Sequence, residues 1–377
     1  MQQDNGLIQK LALWHQVSSA NYLGPMRFRT LWECFGSDIG KLLNMTEDEL
    51  RKLKGIVTSQ NLQSIRGQAS RFPESLAFMQ AQVQLAGRCD GQVLAMDDQR
   101  YPKFLRQSKM CHPIVFCAGD PSPFASYDKA VAIVGTRNPA PESADFALRA
   151  ARELASRGWV VVSGMAKGVD SCAHRGALAA GGKTIAVLGC GPDVVYPREL
   201  AGLHEEIRTK GLVLSEFPFG TKPEDWKLRK RNKTTVALAT ATVIVQSSTL
   251  GGTMNAWKAC KEQHKTAFVL VPSWACDYSG NQRAISEGAR PVSTVAELVG
   301  LLEEELTAAK PTGKQGQLQL GIGPEAKRPR KTRSVKKSKA TAGGVSSSGK
   351  LHGKAKRRNT SVSMSVSGDL NSPPTVP

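Results

Sequence analysis

No uninterrupted apolar run in this 377-residue chain approaches the ~20 residues that a membrane-crossing helix requires. The start, MQQDNGLIQK, lacks the charged-then-apolar layout of a secretory signal, so a cytoplasmic protein without membrane association is expected. Eight cysteines are scattered along the chain, with no Cys-x-x-Cys pair and no histidines at zinc-ligand spacing. Cys111-His112 with Cys117 comes nearest to a cluster, but it lies in an apolar, strand-like run. Reduced, mostly buried thiols and no metal are the plain expectation. Also missing are a carboxylate pair and a Ser/His/Asp arrangement. The acidic residues near the informative loops, Asp170 and Glu216, stand singly. A binding protein without cofactor, rather than an enzyme, accounts for these absences best.

What the chain has in excess is positive charge, +19 formally. Between Lys310 and Pro377 there are 15 Lys/Arg against Glu325 and Asp369, which places +13 of that excess in the last segment. A basic chain attracts polyanions by counterion release, which points to nucleic acid without saying which kind.

Three regions can be read along the chain. Residues 1–86 carry helical periodicity in LIQKLALWHQV, MRFRTLWECFG and TEDELRKLKGI, with Thr46 and Glu49 spaced for a capping box. This has the size of a SAM-like or helix-hairpin-helix module. Such modules bind DNA or proteins alike, and the pattern does not choose between them. Over 87–305, apolar runs (AVAIVG, WVVVSG, TIAVLG, GLVLSE, ATVIVQ, TAFVLVP) alternate with helical stretches. That alternation predicts an α/β fold, an extended Rossmann-like, doubly wound and mostly parallel sheet with ligands at the carboxyl ends of the strands. Residues 306–377 are rich in Gly, Ser and Lys with almost no aromatics, and are expected to be disordered.

The strand ends carry the chemistry. The first run ends in Gly135-Thr136-Arg137, where glycine admits a phosphate, the hydroxyl can bond it and the guanidinium forks onto its oxygens. The next ends in Ser163-Gly164 and continues through Lys167-Gly168 to Asp170 and His174. This reads as an anion seat, with Asp170 placed to cap the helix and His174 one turn on as a structural neighbour. It is not a Walker loop, because the Gly-Lys-Ser/Thr order is missing. The third is followed by Tyr196-Pro197-Arg198. Trp226 then fronts five cations in eight residues, including Arg231 and Lys233 around Asn232, a pairing of ring and charge suited to a single strand. Finally Gly251-Gly252-Thr253 opens a helix and offers amides and a hydroxyl to a further phosphate.

In this order the motifs resemble the DNA-processing protein A family (DprA, also called Smf). Family members carry a Gly-Ser-Arg loop, matched by Gly135-Thr136-Arg137, and Ser-Gly-x-Ala-x-Gly-Ile-Asp with a following Ala-His, matched by Ser163 to Asp170 and Ala173-His174. A Tyr-Pro-Lys turn is matched by Tyr196-Pro197-Arg198, and an Arg-Asn-Arg element by Arg231-Asn232-Lys233. Ser-Glu-x-Pro, the Ser-Gly-Ser/Thr helix start, the late Gly-x-Asn-x-Leu-Ile-x-x-Gly-Ala and the upstream Asp-x-x-Tyr-Pro-x-x-Leu are matched by 215–218, by Gly251-Gly252-Thr253, by Gly280-Asn281 through Gly288-Ala289 and by 98–105. The resemblance implies a dimerising Rossmann core that cradles single-stranded DNA, protects it during uptake or recombination, works around single-strand-binding protein and assists RecA loading. It also implies that Arg137, Lys167, Arg198 and Arg231 bind the DNA backbone. The chain departs from the family in Lys-Leu-Arg-Lys-Arg-Asn-Lys, in Gln246 where a glutamate commonly ends the strand, and in a basic C-terminal stretch where many members have a winged helix. The loops also resemble those of nucleoside-monophosphate phosphoribohydrolases. There the signature glutamate is replaced by Ala256, which removes the owner of the acid/base work.

Overall fold

The computed structural model describes residues 2–20, 23–46, 48–49, 53 and 58–308. The chain opens on α1 (Gln2–Ser18), α2 (Pro25–Phe35), a 3-10 stretch (Gly36–Leu43), α3 (Ser59–Gly67) and α4 (Phe72–Gly87). The apolar stripe of α1 buries Leu11, Trp14 and Val17, with Trp14 packed at 5.5 Å on Phe28 of α2. The Thr46–Glu49 capping box forms, Thr46 N donating to Glu49 Oε2 at 2.8 Å and Glu49 N to Thr46 Oγ1 at 3.4 Å. Most of the helix that it would start lies outside the described residues, as does the basic segment beyond 308.

The remainder is a nine-stranded sheet, built from β1 (Gly91–Ala95), β2 (Ile114–Ala118), β3 (Ala130–Val134), β4 (Val160–Ser163), β5 (Thr184–Leu188), β6 (Leu212–Ser215), β7 (Ala241–Ile244), β8 (Ala267–Leu270) and β9 (Arg290–Val292). Their spatial order is β1-β2-β6-β5-β4-β3-β7-β8-β9. From β6 to β9 all neighbours pair in parallel, while β1 and β2 add an antiparallel edge. The six continuous apolar runs are the six core strands of the parallel part. The antiparallel edge and β9 are not legible as such, because a five-residue strand does not say which neighbour it will pair with.

Side chains alternate across the sheet, as the period of two demands. Ala130, Ala132, Val160 and Val162 face one core, while Val131, Ile133 and Val161 face the other. The first core is continuous with Leu11, Trp14 and Phe28, so the N-terminal helices and this face of the sheet share one apolar cluster. The second packs against α6 (Pro141–Ser156), α7 (Val169–Ala179) and α12 (Val295–Ala308).

Between them run α5 (Lys103–Gln107), α8 (Ala201–Lys210), α9 (Asp225–Ala237), α10 (Met254–Gln263) and α11 (Ser279–Ser286). The chain winds outward from β3 to β6, then returns to β7 on the other side of β3. That reversal opens a crevice at the carboxyl ends of β3 and β7, the place where a doubly wound sheet takes its ligand. Asn281 braces it from behind, its buried Nδ2 donating to Val245 O at 3.0 Å and to Leu270 O at 2.8 Å.

Candidate nucleic-acid interface

Two adjoining cavities, of about 510 and 470 Å³, open at the carboxyl edge of the sheet. Arg137, Ala166, Leu228 and Arg231 line both and so form the ridge between them. Lys167, Tyr196, Arg198 and Glu199 complete the first cavity. Gly135, Thr136, Asn232, Gly251, Gly252 and Thr253 belong to the second. The loops singled out in the sequence thus converge, although they are spread over more than a hundred residues.

Helix α9 is laid directly across the ends of β4 and β5. A Cβ on Gly164 would overlap the Arg231 guanidinium, and one on Gly189 would lie 2.9 Å from the Leu228 backbone. Glycine after each strand leaves room for α9, through the Arg231 guanidinium at Gly164 and the Leu228 backbone at Gly189. Gly168 has φ of +78°, and a Cβ there would collide with the carbonyls of Thr136 and Arg137. That contact stacks the β4 loop on the β3 loop.

Most cations of α9 are engaged inside the protein. Arg231 is buried, with Nη1 3.7 Å from Asp170 Oδ2. Lys230 reaches buried Glu216 at 2.7 Å, Lys227 reaches Glu224 at 2.7 Å, and Lys233 reaches Glu262 at 2.8 Å. Asn232 Nδ2 donates to Gly252 O at 3.3 Å, tying α9 to the β7 loop. The resemblance implies that Arg231 binds the DNA backbone; the structure buries its side chain beneath the two cavities, both of which it lines. Its charge is spent on Asp170, because the helix turns it inward beneath the two cavities. Arg229, two residues earlier on the opposite face, is exposed at the second cavity and has no ion pair among the described residues. Helical spacing sets these two arginines on opposite faces but does not say which face is buried.

The anion inside the β4 loop is a side chain. Asp170 accepts from Ala166 N at 3.3 Å, and the Gly164 amide also favours its charged form. Burial pushes its carboxyl above the usual range, and Arg231 opposes this only in part. Ser163 donates to Ile133 O at 2.6 Å, so it is a strand tie. The expected anion seat is in this respect filled from within by Asp170.

His174 is wholly buried. Thr184 Oγ1 donates to Val161 O at 2.8 Å and stands 2.7 Å from His174 Nδ1, so Nδ1 carries the ring proton and donates to Thr184. Burial, reinforced by Arg231, lowers the His174 pKa to about 3. A neutral core histidine is the outcome.

A second buried polar group was missed in the sequence. Glu216 receives Lys230 on one side, His112 Nε2 at 3.5 Å on the other and the Thr234 hydroxyl at 3.2 Å. Burial raises the Glu216 pKa, but His112 and Lys230 outweigh it and hold the carboxylate below its usual range. Nothing in local spacing could reveal this group, since its members come from positions 112, 216, 230 and 234. At the β7 end, Gln246 Oε1 accepts from Ala140 N at 2.9 Å and its carbonyl accepts from Thr136 N at 2.8 Å. The amide thereby holds the Arg137 loop as a neutral side chain.

Around the rim, Arg137 and Arg198 are exposed without ion pairs among the described residues, and Lys167 pairs with Glu199. Tyr196, Trp226 and Leu250 are three of the four exposed large apolar side chains among the described residues. Tyr196 and Leu250 line the two cavities. Trp226 stands at the start of α9 against Phe217, centroids 5.8 Å apart. No helix among the described residues is long and apolar enough to cross a membrane.

The family described as DNA recombination-mediator protein A matches residues 92–303, more than half of the chain. Protein Smf of Synechocystis is 34% identical over 184 residues, which are 48% of this chain and 46% of that protein, so the chain spans less than half of this relative. The structure of DNA processing protein A from Streptococcus pneumoniae superposes with a TM-score of 0.62 at 24% identity, over 76% of this chain and 95% of that one, and shows the shared fold. A Helicobacter pylori DNA processing protein A, solved to show its single-stranded DNA binding mode, matches with a TM-score of 0.52 at 30% identity, over 57% of this chain and 96% of that one.

Two outcomes are expected from the buried groups. Arg231→Ala leaves Asp170 buried without its cation and should cost about 3–5 kcal/mol in urea unfolding; a loss below about 1 kcal/mol would show that the pair does not hold the loop. His174 stays neutral in the folded chain down to about pH 3, while the unfolded chain takes up a proton below about 6.5. The folding equilibrium should therefore fall about tenfold per pH unit below 6.5 on account of this residue alone. His174→Asn keeps a donor for Thr184 and should flatten the stability profile between pH 6.5 and 5. An unchanged slope would place the proton elsewhere.

Proposed function

The chain belongs to the DNA recombination-mediator protein A family, and from that premise we propose that it binds single-stranded DNA across its two cavities. The observation that carries this reading is Arg137, exposed on the ridge common to both cavities and without a carboxylate partner among the described residues. A strand crossing the ridge would lay phosphates on Arg137, flanked by Arg198 in the first cavity and Arg229 beside the second. The exposed rings of Tyr196 and Trp226 offer stacking faces to unpaired bases, which a duplex keeps inside its helix. The Helicobacter pylori relative lends support through its own single-stranded DNA binding mode.

In this reading Thr136, Lys167, Asn232, Gly251, Gly252 and Thr253 line the path. Gly135, Ser163, Gly164, Gly168, Arg231 and Lys233 shape it from below or beside. The biological role follows the family: a dimeric mediator in the cytoplasm that protects incoming single strands, meets single-strand-binding protein and assists RecA loading. Residues 1–86 would serve as a helical accessory module, 87–305 as the binding core, and 306–377 as a disordered basic tail that adds charge. Ala256 lines the second cavity where a phosphoribohydrolase would carry its glutamate, which favours binding over hydrolysis.

Fluorescence anisotropy with labelled oligonucleotides tests the reading. Arg137→Ala and Arg198→Ala should each weaken single-strand binding roughly tenfold and reduce the slope of log affinity against log salt by roughly 0.7. Wild-type affinity in both variants would sink the assignment of the ridge. Deletion of 310–377, which holds +13 of the formal charge, should flatten that slope while a preference for single over double strands persists. Loss of the preference with the tail would move specificity out of the core.

A further inference from the structure

The ammonium that the β4 loop offers to the first cavity is already occupied. Lys167 Nζ lies 2.7 Å from Oε1 of Glu199, a residue 32 positions later, and both line that cavity. The ion pair clasps the Gly164–Gly168 loop to the turn that carries Arg198. Its two ends are 50% and 63% exposed, so it is solvated and weakly held. Hydrogen bonding to Lys167 holds the Glu199 carboxyl below its usual range, which keeps it anionic at neutral pH. Arg137 and Arg198 in the same cavity have no such partner among the described residues. One cation of the site therefore carries an anion supplied by the chain itself, while its neighbours stand open.

We propose that Glu199 sets the affinity threshold of this cavity: its carboxylate stands in for phosphate on Lys167 and must be displaced before DNA can use that cation. The proposal rests on the single-stranded DNA reading and deepens it. A tethered carboxylate competes at an effective concentration in the millimolar range. A lone phosphate makes too few contacts to offset that exchange. A strand touching Arg137 and Arg198 at the same time has enough of them. Glu199 thus raises the threshold for entry, so that the cavity passes over isolated nucleotides and admits a polymer.

The experiment is anisotropy of a labelled single-stranded oligonucleotide on the full chain at physiological salt, with thymidine monophosphate as competitor. It compares wild type, Glu199→Gln, Lys167→Ala and the double variant. Glu199→Gln should tighten binding of both the oligonucleotide and the mononucleotide about three- to fivefold, and the gain should vanish when Lys167 is also alanine. Affinity that stays level or falls in Glu199→Gln overturns the proposal. So does an equal gain in the Lys167→Ala background, which would mark Glu199 as a general repulsive charge. A wild-type chain that ignores the oligonucleotide would instead overturn the proposed function itself, whereas wild-type binding without a Glu199→Gln gain overturns this inference alone.

Discussion

The buried pair of Arg231 and Asp170 is the contact on which the rest of the site depends. Two charges taken out of water are costly, and their attraction offsets that cost only when the remaining hydrogen-bonding capacity is also filled. Here the carboxylate accepts from the amide of Ala166 and the guanidinium lies against Gly164, with Arg231 Nε left without a hydrogen-bond partner among the described residues. The arrangement locks α9 across β4 and β5 and gives the β4 loop its shape. That loop in turn supports the Arg137 loop through Gly168, so one internal ion pair sets the position of the ridge between the cavities.

Charge is accordingly divided between two tasks. Lys227, Lys230, Arg231 and Lys233 neutralise Glu224, Glu216, Asp170 and Glu262, and so fasten α9 from both sides. Lys265 adds a third fastening at its far end, where its buried ammonium donates to the carbonyls of Val236, Ala237 and Ala239, the negative pole of the helix. The cations left exposed at the cavities without a carboxylate partner among the described residues are Arg137 from the β3 loop, Arg198 from the turn after β5, and Arg229 from the outer face of α9 itself. A dense basic run is thus chiefly an internal scaffold, and scattered single arginines form the surface that an anion meets.

The motifs were legible because each is local. An apolar run bounded by glycine declares a buried strand and its end; six of them in alternation with helices declare a parallel sheet and hence the edge where a ligand sits. The Thr46–Glu49 box was equally readable, since both its partners lie within one turn. The glycines were read as room for a phosphate, at Gly135 and in the anion seat that includes Gly164. What approaches Gly164 and Gly189 is α9, and that could not be read, because glycine reports only that space is needed.

The six core strands of the parallel sheet, their alternation with helices and membership of the family were legible in the sequence alone, through periodicity and motif order. Which cations face outward was decided only by tertiary structure. Arg229 and Arg231 are the same residue type two positions apart. One is open and the other buried because burial depends on Asp170, sixty-one residues away along the chain. The partners of Lys167 and Lys230 are likewise distant in sequence. Charge pairing acts through a few ångströms of space, and only the closed fold brings those partners within reach.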